Sequence, residues 1–96
     1  MIRSSADKET EKVFHQEFSK SIPHTVQKNA LRKMMMINAT VGLPDLNKSP
    51  PANHLESLSG NRLGQWSIRV NGQWRICFVP ISGGSEYEDV EIVDYH

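Results

Sequence analysis

The sequence predicts an α+β fold, a single domain over residues 1–96 in which two helices pack on a small, mainly antiparallel twisted sheet. Three observations lead to this prediction. Apolar side chains recur with helical spacing over residues 25–40, and an Asn-Gly turn joins two alternating apolar runs within residues 60–78. A chain of 96 residues is also long enough for one modest hydrophobic core. The predicted order of elements is β-α-α-β-β-β.

The N-terminal third of the chain is predicted to hold a short strand and a helix. The strand covers Ile2–Ser5, and Asp7 follows it, a residue type that accepts hydrogen bonds from the free N–H groups of a helix start. The helix that Asp7 caps runs to about Ser19. Phe14 and Phe18 lie four residues apart and are therefore predicted to share the buried side of this helix.

A second, longer helix is predicted over about Thr25–Thr40, after a break at Ser21-Ile22-Pro23. Its buried face consists of apolar residues at helical spacing: Val26, Ala30, Met34, Ile37 and Val41, widened by Leu31 and Met35. Met36 lies off this face and is predicted to contact a partner. Gly42-Leu43-Pro44 ends the helix, and Asp45–Asn53 is predicted to be a loop.

The segment Gly60–Phe78 is predicted to be a β-hairpin that turns at Asn71-Gly72. A two-residue Asn-Gly loop would divide the apolar side chains between the two faces of the hairpin. A three-residue loop, Val70-Asn71-Gly72, with its glycine in the left-handed region, would instead place them together. Its cross-strand pairs are Ile68 with Trp74 and Trp66 with Ile76. We favour this second register, because a one-sided core requires it.

The favoured register places polar side chains together on the opposite face of the hairpin: Ser67, Arg69, Gln73 and Arg75. A turn at Ser82–Gly84 then leads to a last strand over about Tyr87–Val93, which is followed by Asp94-Tyr95-His96. Arginines on an open sheet face, with acid–base side chains where the sheet ends, are the groups that cleavage of a phosphodiester requires.

Composition and charge limit the remaining possibilities. The formal net charge is zero with His neutral, so no overall basic character indicates a nucleic-acid binder. Cys77 is the single cysteine and is predicted to be a buried, inert thiol. No set of His, Cys or Asp has metal-ligand spacing, so we expect no metal and no cofactor. No signal peptide or membrane-spanning run is visible, and we therefore expect a cytoplasmic protein with no membrane partner.

Four segments carry a resemblance to a known family: Met1-Ile2-Arg3-Ser4, Pro50–Glu56, Gly60–Phe78 and Val90–His96. Through them the whole chain resembles HigB-type toxins of the RelE/ParE superfamily, which are the toxic, plasmid-maintenance partners of bacterial type II toxin–antitoxin pairs. The long hairpin segment and the Asp-Tyr-His ending are specific when they occur together.

The resemblance implies a RelE-like, microbial-ribonuclease-like fold. It also implies a metal-independent endoribonuclease that cleaves messenger RNA on the ribosome, by attack of a ribose 2′-OH on the adjacent phosphate, and so inhibits translation. The implied partners are a HigA-type helix-turn-helix antitoxin and the ribosome with its messenger RNA. Operator DNA would be contacted only through the antitoxin.

Roles can be assigned to particular residues on this basis. Arg75 is the first candidate to stabilise the phosphate, and His96 is the candidate general acid. Tyr95 would stack on a base, or orient or deprotonate the 2′-OH, Asp94 would orient His96 or accept a proton, and Glu56 would act as a general base. Contacts with RNA are predicted at four further residues: Arg69, Arg62, His54 and Gln73.

Two other classes of function stay open. A toxin of the same fold could act without nuclease chemistry, by binding a protein such as DNA gyrase, as ParE relatives do. The chain could also be a catalytically inactive protein that binds an antitoxin. The Asp-Tyr-His ending favours the nuclease, because a binding module needs no titratable terminus.

Overall fold

The computed structural model describes residues 1–48 and 53–94, which fold into three helices and one four-stranded antiparallel sheet. The helices are α1 (Lys8–Phe14), α2 (His24–Ala39) and α3 (Leu43–Lys48). The strands are β1 (Glu56–Ser57), β2 (Trp66–Arg69), β3 (Trp74–Ile81) and β4 (Glu86–Asp94), in the sheet order β1-β2-β3-β4. Within the described residues, no helix combines the length and apolarity needed to cross a bilayer.

The N-terminal segment lies parallel to β4 but does not form the strand predicted at Ile2–Ser5. It makes only isolated bridges, from Ile2 to Tyr87 and from Ser5 to Val90. Four backbone hydrogen bonds join residues 1–6 to Tyr87 and Val90 of β4. The Ile2 N–H donates instead to the side chain of Asn38 on α2, at 2.8 Å. The predicted order β-α-α-β-β-β is therefore wrong at its first strand and lacks α3 and β1, whereas the α+β class is confirmed.

α1 begins as predicted and ends early. Asp7 caps it, because the Asp7 Oδ1 accepts a hydrogen bond from the Thr10 N–H at 2.7 Å. The helix ends at Phe14, five residues before the predicted end at Ser19, because Gln16 takes a left-handed conformation with φ 62°. Such a closure is usually made by glycine, so the sequence carries no signal for it at this glutamine.

α2 matches its prediction to within one residue at each end. Its buried stripe packs on one face of the sheet to form a single apolar core, whose members are Val13, Ile22, Val26, Ala30, Met34, Ile37, Leu46, Ile68, Ile76, Phe78, Tyr87, Val90 and Ile92. Three residues that were predicted to be buried are exposed instead: Phe18 (65%), Met35 (57%) and Val41 (80%). Val41 follows the end of α2 at Ala39 and so leaves the helical stripe, and Met36 is half-buried.

The predicted loop at Asp45–Asn53 begins with a helix. Leu43–Lys48 forms α3, and Pro44 lies in its first turn, where a missing N–H costs nothing because the first turn has no intrahelical acceptors. Leu46 is fully buried in the core and gives this short helix its anchor. Proline therefore starts a helix here instead of ending one, which corrects our interpretation of Gly42-Leu43-Pro44.

The hairpin register differs from both predicted alternatives. Ile68 lies opposite Ile76 and Trp66 opposite Phe78, which shifts the favoured pairing by two residues. The turn is Asn71-Gly72-Gln73, and Gly72 does not take a left-handed conformation. A shift of two residues preserves the alternation of faces, so the prediction that apolar residues share one face and polar residues the other is still correct.

Gly84 offers a direct test of how closely the turn before β4 packs on α3. Its φ is +102°, and a Cβ added there would lie 2.5 Å from the Leu43 backbone nitrogen and 3.1 Å from the Tyr87 hydroxyl. Gly84→Ala should therefore lower the free energy of unfolding by about 2–4 kcal/mol, through backbone strain and overlap. The matched control is Gly60→Ala, where φ is +62° and no described atom lies within 4 Å, with an expected loss of about 1 kcal/mol. Urea denaturation measures both, and equal losses would contradict the packing argument.

Candidate functional site

A polar cleft of about 320 Å³ opens on the sheet face opposite the helices, at the turn end of the hairpin. Its lining residues come from the segment before β1, from β1 and from the hairpin: His54, Glu56, Arg69, Asn71, Gly72 and Arg75. Four of these six residues are among the candidates that the sequence singled out. The cleft has its position because the β-alternation directs both hairpin arginines away from the core.

Arg75 is the most firmly held side chain of the cleft. Its Nε donates to the Ser67 hydroxyl at 2.8 Å, and its Nη2 donates to the backbone carbonyl of His54 at 2.6 Å. Only 12% of the side chain is exposed. Ser67 is fully buried beneath it, so the guanidinium is clamped on one edge between β2 and the segment before β1. An arginine held in this way presents its charge in a fixed direction.

Arg69 lies directly opposite Arg75 in the β2–β3 pair. Paired like charges destabilise a sheet by up to about 1 kcal/mol, because the two side chains stand about 5 Å apart on one face. The head of Arg69 extends over the turn, since a Cβ added to Gly72 would lie 3.6 Å from the Arg69 Nη2. An anion held between the two guanidinium groups would relieve this repulsion. Guanidinium groups donate charge-assisted hydrogen bonds to carboxylates and phosphates, so an anion of this kind is the ligand that suits the pair chemically.

The turn that carries this pair is built by Asn71. Its side-chain oxygen accepts hydrogen bonds from the backbone N–H groups of Gln73 and Trp74, each at 2.8 Å. An asparagine side chain that bonds to the backbone two residues on is a common way of closing a turn. Asn71 and Gly72 line the cleft, although the sequence predicted them only as turn residues. The Asn-Gly dipeptide predicted that these two residues form the hairpin turn, but it gave no indication that they line the cleft.

His54 and Glu56 form the other wall of the cleft. His54 is exposed and has a left-handed backbone, with φ 47°, which turns its carbonyl toward Arg75. Glu56 lies in β1 opposite Ser67, and its Oε2 is 3.9 Å from the Arg75 Nη2. The structure therefore brings the predicted carboxylate to the predicted guanidinium, at a distance that leaves the carboxylate loosely paired and more than half exposed.

Asp94, one of the predicted site residues, lies at the end of β4. Asp94 is the last described residue of the chain and pairs with Trp74 across the sheet. The Gln73 side chain donates to the Asp94 Oδ1 at 3.0 Å, which links the hairpin turn to the end of β4. Gln73 and Asp94 are therefore together, next to the cleft and not among its lining residues. Tyr95 and His96 lie outside the described residues.

Arg62 is placed away from the cleft. It ends the turn Gly60–Arg62, and its Nη1 lies 3.1 Å from a carboxylate oxygen of Glu91 and 3.0 Å from the Gln65 side-chain oxygen. This half-buried ion pair lies near Cys77, which the structure buries completely as predicted. Burial raises the pKa of the Cys77 thiol, so the neutral form is favoured. The sequence grouped Arg62 with the hairpin arginines, and its pairing with a residue 29 positions later had no local signal.

Comparison with known proteins gives the chain a family. Residues 3–96 match the sequence model of a family described as the RelE-like toxin of the type II toxin–antitoxin system HigB. The chain belongs to the HigB-like toxin family. The matched region includes every residue that lines the cleft, and it also includes Asp94, Tyr95 and His96.

Individual relatives support the same placement. Toxin HigB-1 from Vibrio cholerae serotype O1 is 39% identical over 62 residues, which are 65% of this HigB-like chain and 64% of that protein. A protein of Haemophilus influenzae with no described function is 41% identical over 71 residues, 74% of this chain and 62% of its own length. These matches span just under two thirds of both relatives. Endoribonuclease HigB from Proteus vulgaris is 29% identical over 96 residues and is matched along the whole of both chains.

A solved structure supports the fold of this HigB-like chain. The YoeB/ParE toxin from Agrobacterium tumefaciens superposes with a TM-score of 0.56, covering 99% of this chain and 96% of that one. At 16% identity this similarity concerns the fold alone. The RelE-like α+β fold that the sequence predicted is confirmed.

Proposed function

We propose that this HigB-like toxin is an endoribonuclease that cleaves messenger RNA on the ribosome and binds the scissile phosphate in the cleft between Arg69 and Arg75. The observation that carries the proposal is the pairing of these two arginines across β2 and β3, with Glu56 3.9 Å from one of them. The name of the Proteus vulgaris relative, Endoribonuclease HigB, points to the same chemistry.

The proposed reaction needs no group that the chain lacks. The ribose 2′-OH attacks the adjacent phosphorus, the 5′-oxygen of the next nucleotide leaves, and a 2′,3′-cyclic phosphate forms. Negative charge accumulates on the non-bridging oxygens in the transition state, and fixed donors that point toward these oxygens lower the barrier. Arg75 suits this role best, because its guanidinium is already oriented by Ser67 and His54 before RNA binds. Two arginines supply the positive charge that a metal ion supplies in other nucleases, so we propose metal-independent cleavage.

The reaction needs a general base for the 2′-OH and a general acid for the leaving oxygen, and we assign these two roles to different residues. Glu56 is proposed to accept the proton of the 2′-OH, since its carboxylate reaches the cleft and stays largely exposed. His96 is proposed to protonate the leaving 5′-oxygen, with Asp94 and Tyr95 orienting the histidine and the substrate. His96 follows Asp94 by two residues in the sequence. Asp94 is itself linked to the hairpin turn through Gln73.

The proposed partners follow from the family. A type II toxin is paired with an antitoxin, and we propose a helix-turn-helix protein of the HigA type, through which alone operator DNA would be contacted. The second proposed partner is the translating ribosome with its messenger RNA, which places the activity in the cytoplasm. The formal net charge of zero agrees with a toxin that relies on the ribosome to present RNA, because an enzyme that captures free RNA benefits from a basic surface.

Tightly controlled expression separates the nuclease from the other classes of function. We expect growth arrest together with new messenger-RNA 5′ ends that are phased with codons. Growth arrest without new 5′ ends would overturn the nuclease and favour a protein target such as gyrase. New 5′ ends that ignore the reading frame, and that also form on free RNA in vitro, would overturn the dependence on the ribosome.

A further inference from the structure

We propose that Lys33 and Asn53, which lie outside the cleft, are positioning residues for Arg75. They hold the backbone of His54, and the carbonyl of His54 holds one arm of the guanidinium. This inference rests on the proposed function only for the consequence on RNA cleavage. The positioning of Arg75 can be measured without RNA.

The anchor is a buried amide that joins three parts of the fold. Asn53 is fully buried, its Nδ2 donates to the Leu46 carbonyl of α3 at 3.0 Å, and its Oδ1 accepts from the Lys33 Nζ of α2 at 2.5 Å. The two contacts use the donor and the acceptor ends of the amide, which determines its orientation. The backbone of Asn53 is therefore tied to both helices just before the cleft begins.

One peptide bond connects this anchor to the site. His54 takes a left-handed backbone that only glycine adopts freely, and such a conformation persists where its surroundings enforce it. On one side Asn53 is held by the helices, and on the other Glu56 is held by pairing with Ser67 in β2. Between these two fixed points the His54 carbonyl is directed at the Arg75 Nη2, at 2.6 Å.

The partner of the buried Lys33 is an amide, which suits the orientation of the backbone better than it suits neutralisation of the lysine charge. Lys33 is 8% exposed, and burial lowers the pKa of its amine, because an ammonium loses hydration inside the protein. An acidic partner would offset this penalty more completely than the neutral amide that is present. An amide, unlike a carboxylate, also donates a hydrogen bond, and the bond to Leu46 uses that donor. The anchor therefore provides direction at some cost in stability.

The direct readout is hydrogen exchange of the Arg75 Nε–H, followed by nitrogen-15 NMR. In the wild-type chain this proton should exchange slowly, because it is donated to a buried serine. In Asn53→Ala the His54 carbonyl is no longer held against the Arg75 Nη2. The loss of this one restraining hydrogen bond should make exchange of the Nε–H about tenfold faster. The matched control is Asn38→Ala, another asparagine whose side chain holds backbone, here the N–H of Ile2. This control should leave Arg75 exchange unchanged.

A second measurement connects the anchor to cleavage. Asn53→Ala should lower the cleavage rate about tenfold when it is introduced into the wild-type chain. In an Arg75→Lys chain the same substitution should lower the rate less than about twofold, because a residue that acts through the Arg75 guanidinium loses its effect when that group is absent. If Asn53→Ala does not fold, both measurements are made on Lys33→Met, which keeps the buried apolar volume. Unchanged Arg75 exchange, or equal acceleration in Asn38→Ala, would overturn the proposal. Faster exchange in a chain that cleaves no RNA would support the positioning role and count against the proposed function.

Discussion

Replacing Arg75 by alanine is expected to lower the rate of ribosome-dependent messenger-RNA cleavage by about 10²- to 10³-fold, the effect of removing one preorganised donor to transition-state charge. The Arg75 side chain is largely buried and its guanidinium is clamped on one edge, so water cannot take its place in the same geometry. Single-turnover cleavage on stalled ribosomes measures the loss directly, because product release does not limit that rate.

Arg75→Lys shows whether charge or shape is responsible. Lysine keeps the positive charge but cannot donate to Ser67 and His54 in the same plane, so we expect most of the loss to remain. The control is Arg3→Ala, which removes an exposed arginine paired with Glu86 at 3.2 Å, far from the cleft lining, and should change the rate by less than about twofold. Full recovery in Arg75→Lys would mean that a point charge suffices, and an active Arg75→Ala chain would remove Arg75 from the mechanism.

Replacing His96 by alanine is expected to lower the cleavage rate by about 10²- to 10⁴-fold, the usual contribution of a general acid. A histidine that acts as a general acid is active only while its imidazole is protonated, and histidine changes charge near neutral pH more readily than other side chains. The wild-type rate should therefore fall as the pH rises through the neutral range. In His96→Ala this dependence should disappear, because the titrating acid is gone.

The matched control for this experiment is His24→Ala. His24 is an exposed histidine at the start of α2 that stacks against Phe18, on the helical side of the sheet. Its removal should leave both the rate and its pH dependence unchanged. A His96→Ala chain that still arrests growth and keeps the wild-type pH profile would show that another group protonates the leaving oxygen.

Local pattern was enough to predict the faces of the sheet. The alternation of apolar and polar residues over 66–78 placed Arg69 and Arg75 on the open face, and they remain there although the pairing is shifted by two residues. Faces repeat every second residue, so a shift by two exchanges partners without exchanging sides. The stripe of α2 and the cap at Asp7 were predictable for the same reason, because each depends on residues within one or two turns.

The tertiary structure alone decided which residues meet. The turn lies one residue later than predicted, because the Asn71 side chain accepts hydrogen bonds from the backbone N–H groups of Gln73 and Trp74. The sequence did not indicate these bonds. The resulting register sets Arg69 opposite Arg75. Lys33 lies off the apolar stripe predicted for α2 and is nevertheless buried against Asn53, and Arg62 forms an ion pair with Glu91. These contacts join residues 20 or more positions apart, and short-range periodicity carries no information about them. The sequence by itself therefore determined the family, the faces and the candidate chemistry. The folded turn at Asn71 set Arg69 opposite Arg75, and contacts between distant segments paired Arg62 with Glu91 and buried Lys33 against Asn53.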